Sequence, residues 1–178
     1  AERAPTARLL ERDEALREIA IRYFTSHGPA TLKDFRWWSS LRAAEARRAV
    51  EFAGDSLERV DVRDRTYWLS EASVPGELFP SGGELLQGYD ESIVAYTESR
   101  NVLDVAGIDG GSPRNLPYIH VITVDGQLVG FWRRQVKREE IVIEAELRRK
   151  LNRAESRAVE AAVARYGEFV GIPARFSA

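Results

Sequence analysis

The chain has no cysteine and no methionine, only two histidines (His27 and His120), and three lysines against twenty-three arginines. Without cysteine there is no disulfide scaffold, thiolate zinc site or cysteine nucleophile, so packing alone must hold the fold. Two histidines so far apart in sequence give no histidine-based zinc pattern. No apolar run is long enough to span a membrane, and the N-terminal residues lack the apolar centre of a secretory signal. Neither a membrane partner nor a metal or other cofactor is therefore expected, and a reducing cytoplasmic setting is permitted. No Gly-rich phosphate loop or Ser-His-Asp set stands out. Ala1 occupies the place of an initiator methionine, so the chain is expected to be either processed or, in preference, a piece of a longer polypeptide.

What is present is an ordinary globular composition, 44% apolar and 30% charged over 178 residues, enough for one or two small cores. The net charge is only −2, but it is unevenly spread: residues 66–130 carry −7 and residues 131–178 carry +4. Salt-driven binding of nucleic acid usually leaves a basic footprint, so any such footprint here must be local.

The stretch from Arg22 to Leu69 is the most informative. Leu16, Ile19, Ala20, Tyr23 and Phe24 recur at helical spacing in a helix from Leu9 or Glu11 to Ser26, which Gly28-Pro29 stops. Thr31 with Asp34 three residues on is a capping-box start for a second, short helix with Leu32, Phe35 and Trp38 inward. Ser39-Ser40 makes a turn, and a third helix from about Arg42 buries Ala46, Ala49, Val50 and Ala53. Two β-prone runs then flank a charged three-residue loop, Arg63-Asp64-Arg65. Helix, turn, helix, turn, helix, hairpin is the order of a winged helix-turn-helix.

Residues 71–117 are rich in Pro and Gly and read as a connector, with one short helix capped by Asp90. Tyr118 to Val124, the Asp125-Gly126 turn, Leu128 to Val136 and Ile141 to Leu147 read as an antiparallel meander. Asn152 with Glu155 caps a final helix that Gly171 closes. The expected class is α+β: a winged helix-turn-helix over residues 9–70, a connector over 71–117, and an antiparallel β-meander plus C-terminal helix over 118–171.

The candidate functional residues are cations. Arg42, Arg47 and Arg48 lie on the third helix, where a recognition helix would point at the major groove, and the planar guanidinium suits guanine edges and phosphates. Glu45 and Glu51 stand at helical spacing to neutralise them. Arg63 and Arg65 occupy the hairpin loop, with Asp64 between them. Arg133, Arg134, Lys137 and Arg138 form the densest cationic run and could track a phosphate backbone, although charge on an edge strand also guards against aggregation. Trp37-Trp38 could stack on unpaired bases, but two adjacent aromatics on a short helix are more often core. Asp90-Glu91 is read as a helix cap in preference to a catalytic pair, and His27 as a helix C-terminal cap.

The segments "RYFTSHGPATLKDFRWWSSL", "LLQGYDESIVAY" and "HVITVDGQLVGFWRR", in this order and spacing, resemble a bacterial family of winged helix DNA-binding domain proteins. Its characterised members are DNA glycosylases that excise alkylated purines and unhook interstrand crosslinks. The resemblance spans about Leu9 to Gly171 and implies a fold of several winged-helix motifs around a DNA channel, of which this chain looks like the C-terminal portion. The family's Gln–apolar–Gln or Gln–apolar–Asp triplet, which orients the attacking water, has no counterpart here: Gln87, Gln127 and Gln135 stand apart. No catalytic residue is carried over. Gln87, Ser92 and Arg42 also depart from the family's usual residues. The expected role is accordingly a non-catalytic DNA-binding portion of a longer glycosylase-like protein. Its affinity for double-stranded DNA would be weak and strongly salt-dependent. The alternative expectation is a structural or protein-interaction winged helix packed on an N-terminal part of the same polypeptide.

Overall fold

The computed structural model describes residues 8–70, 82–107 and 119–177. They fall into two compact units, one within Ala1–Gly76 together with Ala95–Ser99, the other within Glu77–Val94 together with Arg100–Ala178. Helices and sheets both contribute, so the α+β class holds.

In the first unit the order is α1 (Arg12–His27), β1 (Ala30–Thr31), α2 (Leu32–Ser39), α3 (Ala43–Ala53), β2 (Glu58–Val62) and β3 (Arg65–Leu69). The strands form an antiparallel sheet in the order β1-β3-β2, with Ala30 opposite Trp68 and Thr31 opposite Tyr67. Leu16, Ala20, Tyr23 and Phe24 of α1 and Phe35 of α2 share one core with Ala46, Ala49, Val50 and Ala53 of α3. The alanine stripe leaves α3 little side chain on its inner face, and this lets it approach α1 closely. Ser40, with φ 59°, turns the chain between α2 and α3.

Two expectations need correction in this unit. Trp37 and Trp38 are not core: they are 57% and 40% exposed. Helix α2 has only two turns, and Asp34 and Phe35 fill its buried side, so Trp37 is carried outward while Trp38, one turn on from them, is only partly covered by Tyr23 and His27 of α1. The charged loop is also shorter than its composition implies. Arg65 pairs with Val62, leaving Arg63-Asp64 as a two-residue turn with Arg63 at φ 56°.

Asp34 is fully buried, and its burial is matched by hydrogen bonds. Its Oδ2 accepts from the Thr31 N–H at 3.0 Å, from Thr31 Oγ1 at 2.8 Å and from Ser99 Oγ at 2.5 Å. Its Oδ1 accepts from the N–H groups of Thr97 and Glu98 at 2.7 and 2.6 Å. The expected capping box is thus present, and the same carboxylate also fixes a segment more than sixty residues away. Burial by itself raises the carboxyl's pKa; the bonds from Ser99, Glu98, Thr97 and Thr31 outweigh that and hold it below its ordinary 3.8.

The second unit holds β4 (Gly83–Leu86), α4 (Glu91–Val94), β5 (Val121–Val124), β6 (Gln127–Val136), β7 (Ile141–Leu147), α5 (Arg153–Val170) and β8 (Ala174–Ser177). Its sheet order is β4-β5-β6-β7-β8. Strands β5 to β7 form the expected meander, and Asp125 and Gly126, in left-handed conformations at φ 50° and 72°, turn the chain between β5 and β6. Helix α5 starts where expected: Asn152 Oδ1 accepts from the N–H groups of Ala154 and Glu155 at 2.8 and 3.0 Å, and Glu155 Oε2 accepts from the Asn152 N–H at 2.7 Å. Val159 and Val163 of α5 pack with Ile122, Val129, Trp132, Ile141 and Ile143 of the sheet. A smaller cluster unites Ile93 of α4 with Val121 and Leu128. Asp90 caps α4, its Oδ1 accepting from the Ser92 N–H at 3.0 Å.

The meander is extended on both sides by strands absent from the expectation. Strand β4 lies inside the supposed connector, and β8 follows α5 and pairs in parallel with β7, Ile141 opposite Ala174. Both are four residues long, and each is stabilised by a partner distant in sequence, which no local periodicity reveals.

Two substitutions test these anchors. Asp34→Ala leaves several donors without an acceptor and is expected to cost about 3 kcal/mol or more of unfolding free energy at neutral pH, measured by urea denaturation. Because the folded carboxyl titrates below 3.8, the stabilisation is complete above that pH and is lost as the pH falls through the folded value, so the gap between wild type and variant should narrow there. At Gly83 an added Cβ would lie 2.6 Å from the Ala158 carbonyl oxygen, against the backbone of α5. Gly83→Ala is expected to destabilise the protein by about 1–3 kcal/mol, visible as a lowered thermal midpoint.

Candidate nucleic-acid interface

The nine candidate cations divide between the two units. In the first, α3 carries Arg42 at its start and Arg47 and Arg48 on its solvent side, all exposed. Their expected neutralisation by Glu45 and Glu51 does not occur. Glu45 is instead taken by Arg12 of α1 and also accepts from the Arg42 backbone N–H at 3.3 Å. Arg48 reaches back to Asp13 of α1 at 3.0 Å, with its guanidinium 5.1 Å from the Phe52 ring centre. The side chains of Arg42 and Arg47 have no ion-pair partner among the described residues. Arg47 borders a groove of about 380 Å³ lined also by Leu32, Val50, Glu51, Gly54 and Trp68.

The hairpin residues separate in the same way. Arg63 is exposed at the β2–β3 turn. Arg65 lies in β3 and donates to the Glu98 carbonyl at 3.0 Å, so it is structural as well as cationic. Asp61 on the neighbouring strand β2 accepts hydrogen bonds from Thr66 of β3 and from Arg59, and these, Thr66 first, hold its carboxyl below the ordinary range.

In the second unit Arg133 and Arg134 are adjacent on β6, and successive strand residues point to opposite faces. Arg133 pairs across the ladder with Glu144 at 2.5 Å, whereas Arg134 donates to the Tyr166 hydroxyl of α5. The dense run therefore does not form one patch. Lys137 closes the β6–β7 turn by pairing with Glu140 at 3.0 Å, and Arg175 of β8 reaches the same carboxylate at 3.0 Å. Lys137 first and Arg175 second keep Glu140 ionised to lower pH than usual. Arg138, at the turn, is exposed and has no ion-pair partner among the described residues.

A residue the sequence did not single out sits beside Arg134. The His120 ring packs 4.5 Å from Trp132, and its buried Nδ1 has no hydrogen-bond partner among the described residues. Burial, followed by the Arg134 charge, depresses its pKa below the ordinary histidine value. Only the fold brings residue 120 next to residues 132 and 134, so no sequence signal marked it. No cluster of three or more His, Asp or Glu residues placed to hold a metal occurs among the described residues, and none of the described helices is long and apolar enough to cross a membrane.

A family model for AlkZ-like DNA glycosylases matches residues 1–169. The chain belongs to the AlkZ-like DNA glycosylase family. Its fold is similar to that of the Streptomyces sahachiroi DNA glycosylase AlkZ, with a TM-score of 0.71 and 25% sequence identity over 96% of this chain. The match covers 48% of that protein, so this AlkZ-like chain spans about half the length of its solved relative. No curated protein sequence is detectably similar.

This membership corrects the function expected from the sequence. A non-catalytic DNA-holding portion attached to a glycosylase would lie largely outside the enzyme family's own model. Here that model takes in nearly the whole chain. A purely structural or protein-interaction winged helix is not favoured either, because both compact units, and not the helical one alone, fall under the match. The missing glutamine triplet bears on which residues orient water and does not place the chain outside the glycosylase family.

Proposed function

We propose that this chain acts on DNA as a base-excision glycosylase, hydrolysing the bond between a damaged purine and its deoxyribose. The family match over residues 1–169 carries the reading. The damage class, alkylated purines, is the one the sequence resemblance implies. We assign DNA-holding roles and no catalytic one, since no water-orienting triplet can be placed on Gln87, Gln127 or Gln135.

Within this reading the first unit is a winged helix-turn-helix. Its support is the order α1-β1-α2-α3-β2-β3 with sheet order β1-β3-β2. Helix α3 is then the element laid against the duplex and the β2–β3 hairpin the wing. Arg42 and Arg47 on α3 and Arg63 at the wing turn are the side chains assigned to phosphates or base edges, because no carboxylate among the described residues already holds them. Arg138 takes the same role on the β6–β7 turn. Arg48, Arg65, Arg133, Arg134 and Lys137 are tethered by their own partners and serve, each within its own unit, as fixed positive charge, which attracts phosphate without donating freely.

The test is a duplex carrying one N-methylated purine, incubated with excess protein and then treated with alkali to break any abasic site. Strand cleavage above the protein-free control is expected; tight binding of the duplex with no cleavage would overturn the proposal. In parallel, Arg47→Ala is expected to weaken duplex binding and to lower the slope of log affinity against log salt by about one, read by fluorescence anisotropy over a salt series.

A further inference from the structure

The outward side of α2 lies apart from α3 and the β2–β3 hairpin in its chemistry. Lys33, Arg36 and Trp37 are three and four residues apart, so helical geometry gathers them on one face, and all three are exposed. The arrangement is an indole, more than half open to solvent, flanked by two cations. Its neighbour Trp38 is differently placed, with its ring 5.1 Å from Tyr23 and 5.6 Å from His27, half packed on α1. Lys33 is 3.8 Å from Glu98, and Arg36 has no ion-pair partner among the described residues.

The platform is rigid. Asp34 fastens the first turn of α2 through both Thr31 and residues 97–99, and Ser39 Oγ donates to the Phe35 carbonyl at 2.6 Å at the other end. A protein partner would be met by a contiguous apolar patch, whereas here the aromatic face is bounded by positive charge. That combination matches a nucleobase with its phosphates: the π-face takes the base, and the guanidinium and ammonium take the backbone. A paired, stacked duplex hides its base faces, so the ligand must be unpaired.

We propose that the Lys33–Arg36–Trp37 face of α2 binds an unpaired nucleotide of DNA, Trp37 stacking on the base while Arg36 and Lys33 contact the flanking phosphates. The inference rests on the reading that this chain works on DNA and adds a second contact, separate from α3, that selects opened over paired strands.

Fluorescence anisotropy with a labelled oligo-dT single strand and with a blunt duplex of equal length tests it, on the full chain and its Trp37→Ala, Trp37→Phe and Arg47→Ala variants. Trp37→Ala should weaken single-strand binding about tenfold and leave duplex binding within about twofold. Trp37→Phe should restore most of the loss, since a phenyl ring also stacks. Arg47→Ala should show the converse preference for damage to duplex binding. Because Trp37 is exposed, Trp37→Ala should melt at the wild-type temperature, and a lowered melting point would overturn the assignment in favour of a packing role. It would equally be overturned if the wild type fails to bind oligo-dT, if Trp37→Ala binds it as wild type does, or if both ligands are lost in equal measure. Absence of base excision with a Trp37-dependent grip on oligo-dT intact would reject the glycosylase reading and keep this one.

Discussion

The carboxylate of Asp34 joins two parts of the chain that lie far apart in sequence. It receives hydrogen bonds from Thr31, three residues earlier, and from Thr97, Glu98 and Ser99, more than sixty residues later. A charge removed from water is tolerated only when donors replace the lost hydration. All these donors must therefore be in place together, and the first turn of α2 cannot shift without exposing an uncompensated charge. The position of α2 in turn sets the left-handed turn at Ser40, the start of α3, and the direction in which Arg36 and Trp37 face.

Many of the charged side chains in this protein are paired with one another. Arg12, Arg48, Arg133, Lys137 and Arg175 each hold a carboxylate of another element or of an adjoining turn. Exposed pairs of this kind stabilise by about 0–1 kcal/mol apiece, so their main effect is to fix side chains in place. Under the proposed action on DNA, a net charge of −2 means that attraction cannot come from total charge. In that reading it falls to a few side chains outside these pairs, on α2, on α3 and at two hairpin turns, and to the geometry that presents them.

Elements governed by neighbours in sequence were legible in advance. The Thr31–Asp34 and Asn152–Glu155 boxes, the Asp125-Gly126 turn, the stop at Gly171 and the alanine stripe of α3 depend on spacings of one to four residues, and each appears in the structure. The resemblance of three short segments also pointed to the glycosylase family. The likeness to that family runs along nearly the whole chain, whereas the absent glutamine triplet concerns a single position of the chemistry.

By itself, then, the sequence determined where helices start and stop, which faces are apolar, and which family the chain resembles, since all of these are written in local spacing and residue order. Tertiary structure alone decided the rest. It paired β8 with β7 and β4 with β5, put His120 beside Trp132, drew Arg48 to Asp13 instead of Glu45 or Glu51, and turned Trp37 to solvent. Each of these outcomes depends on which distant surface reaches a given residue first and leaves room for it. That competition for space and hydrogen-bond partners is settled only when the whole unit packs.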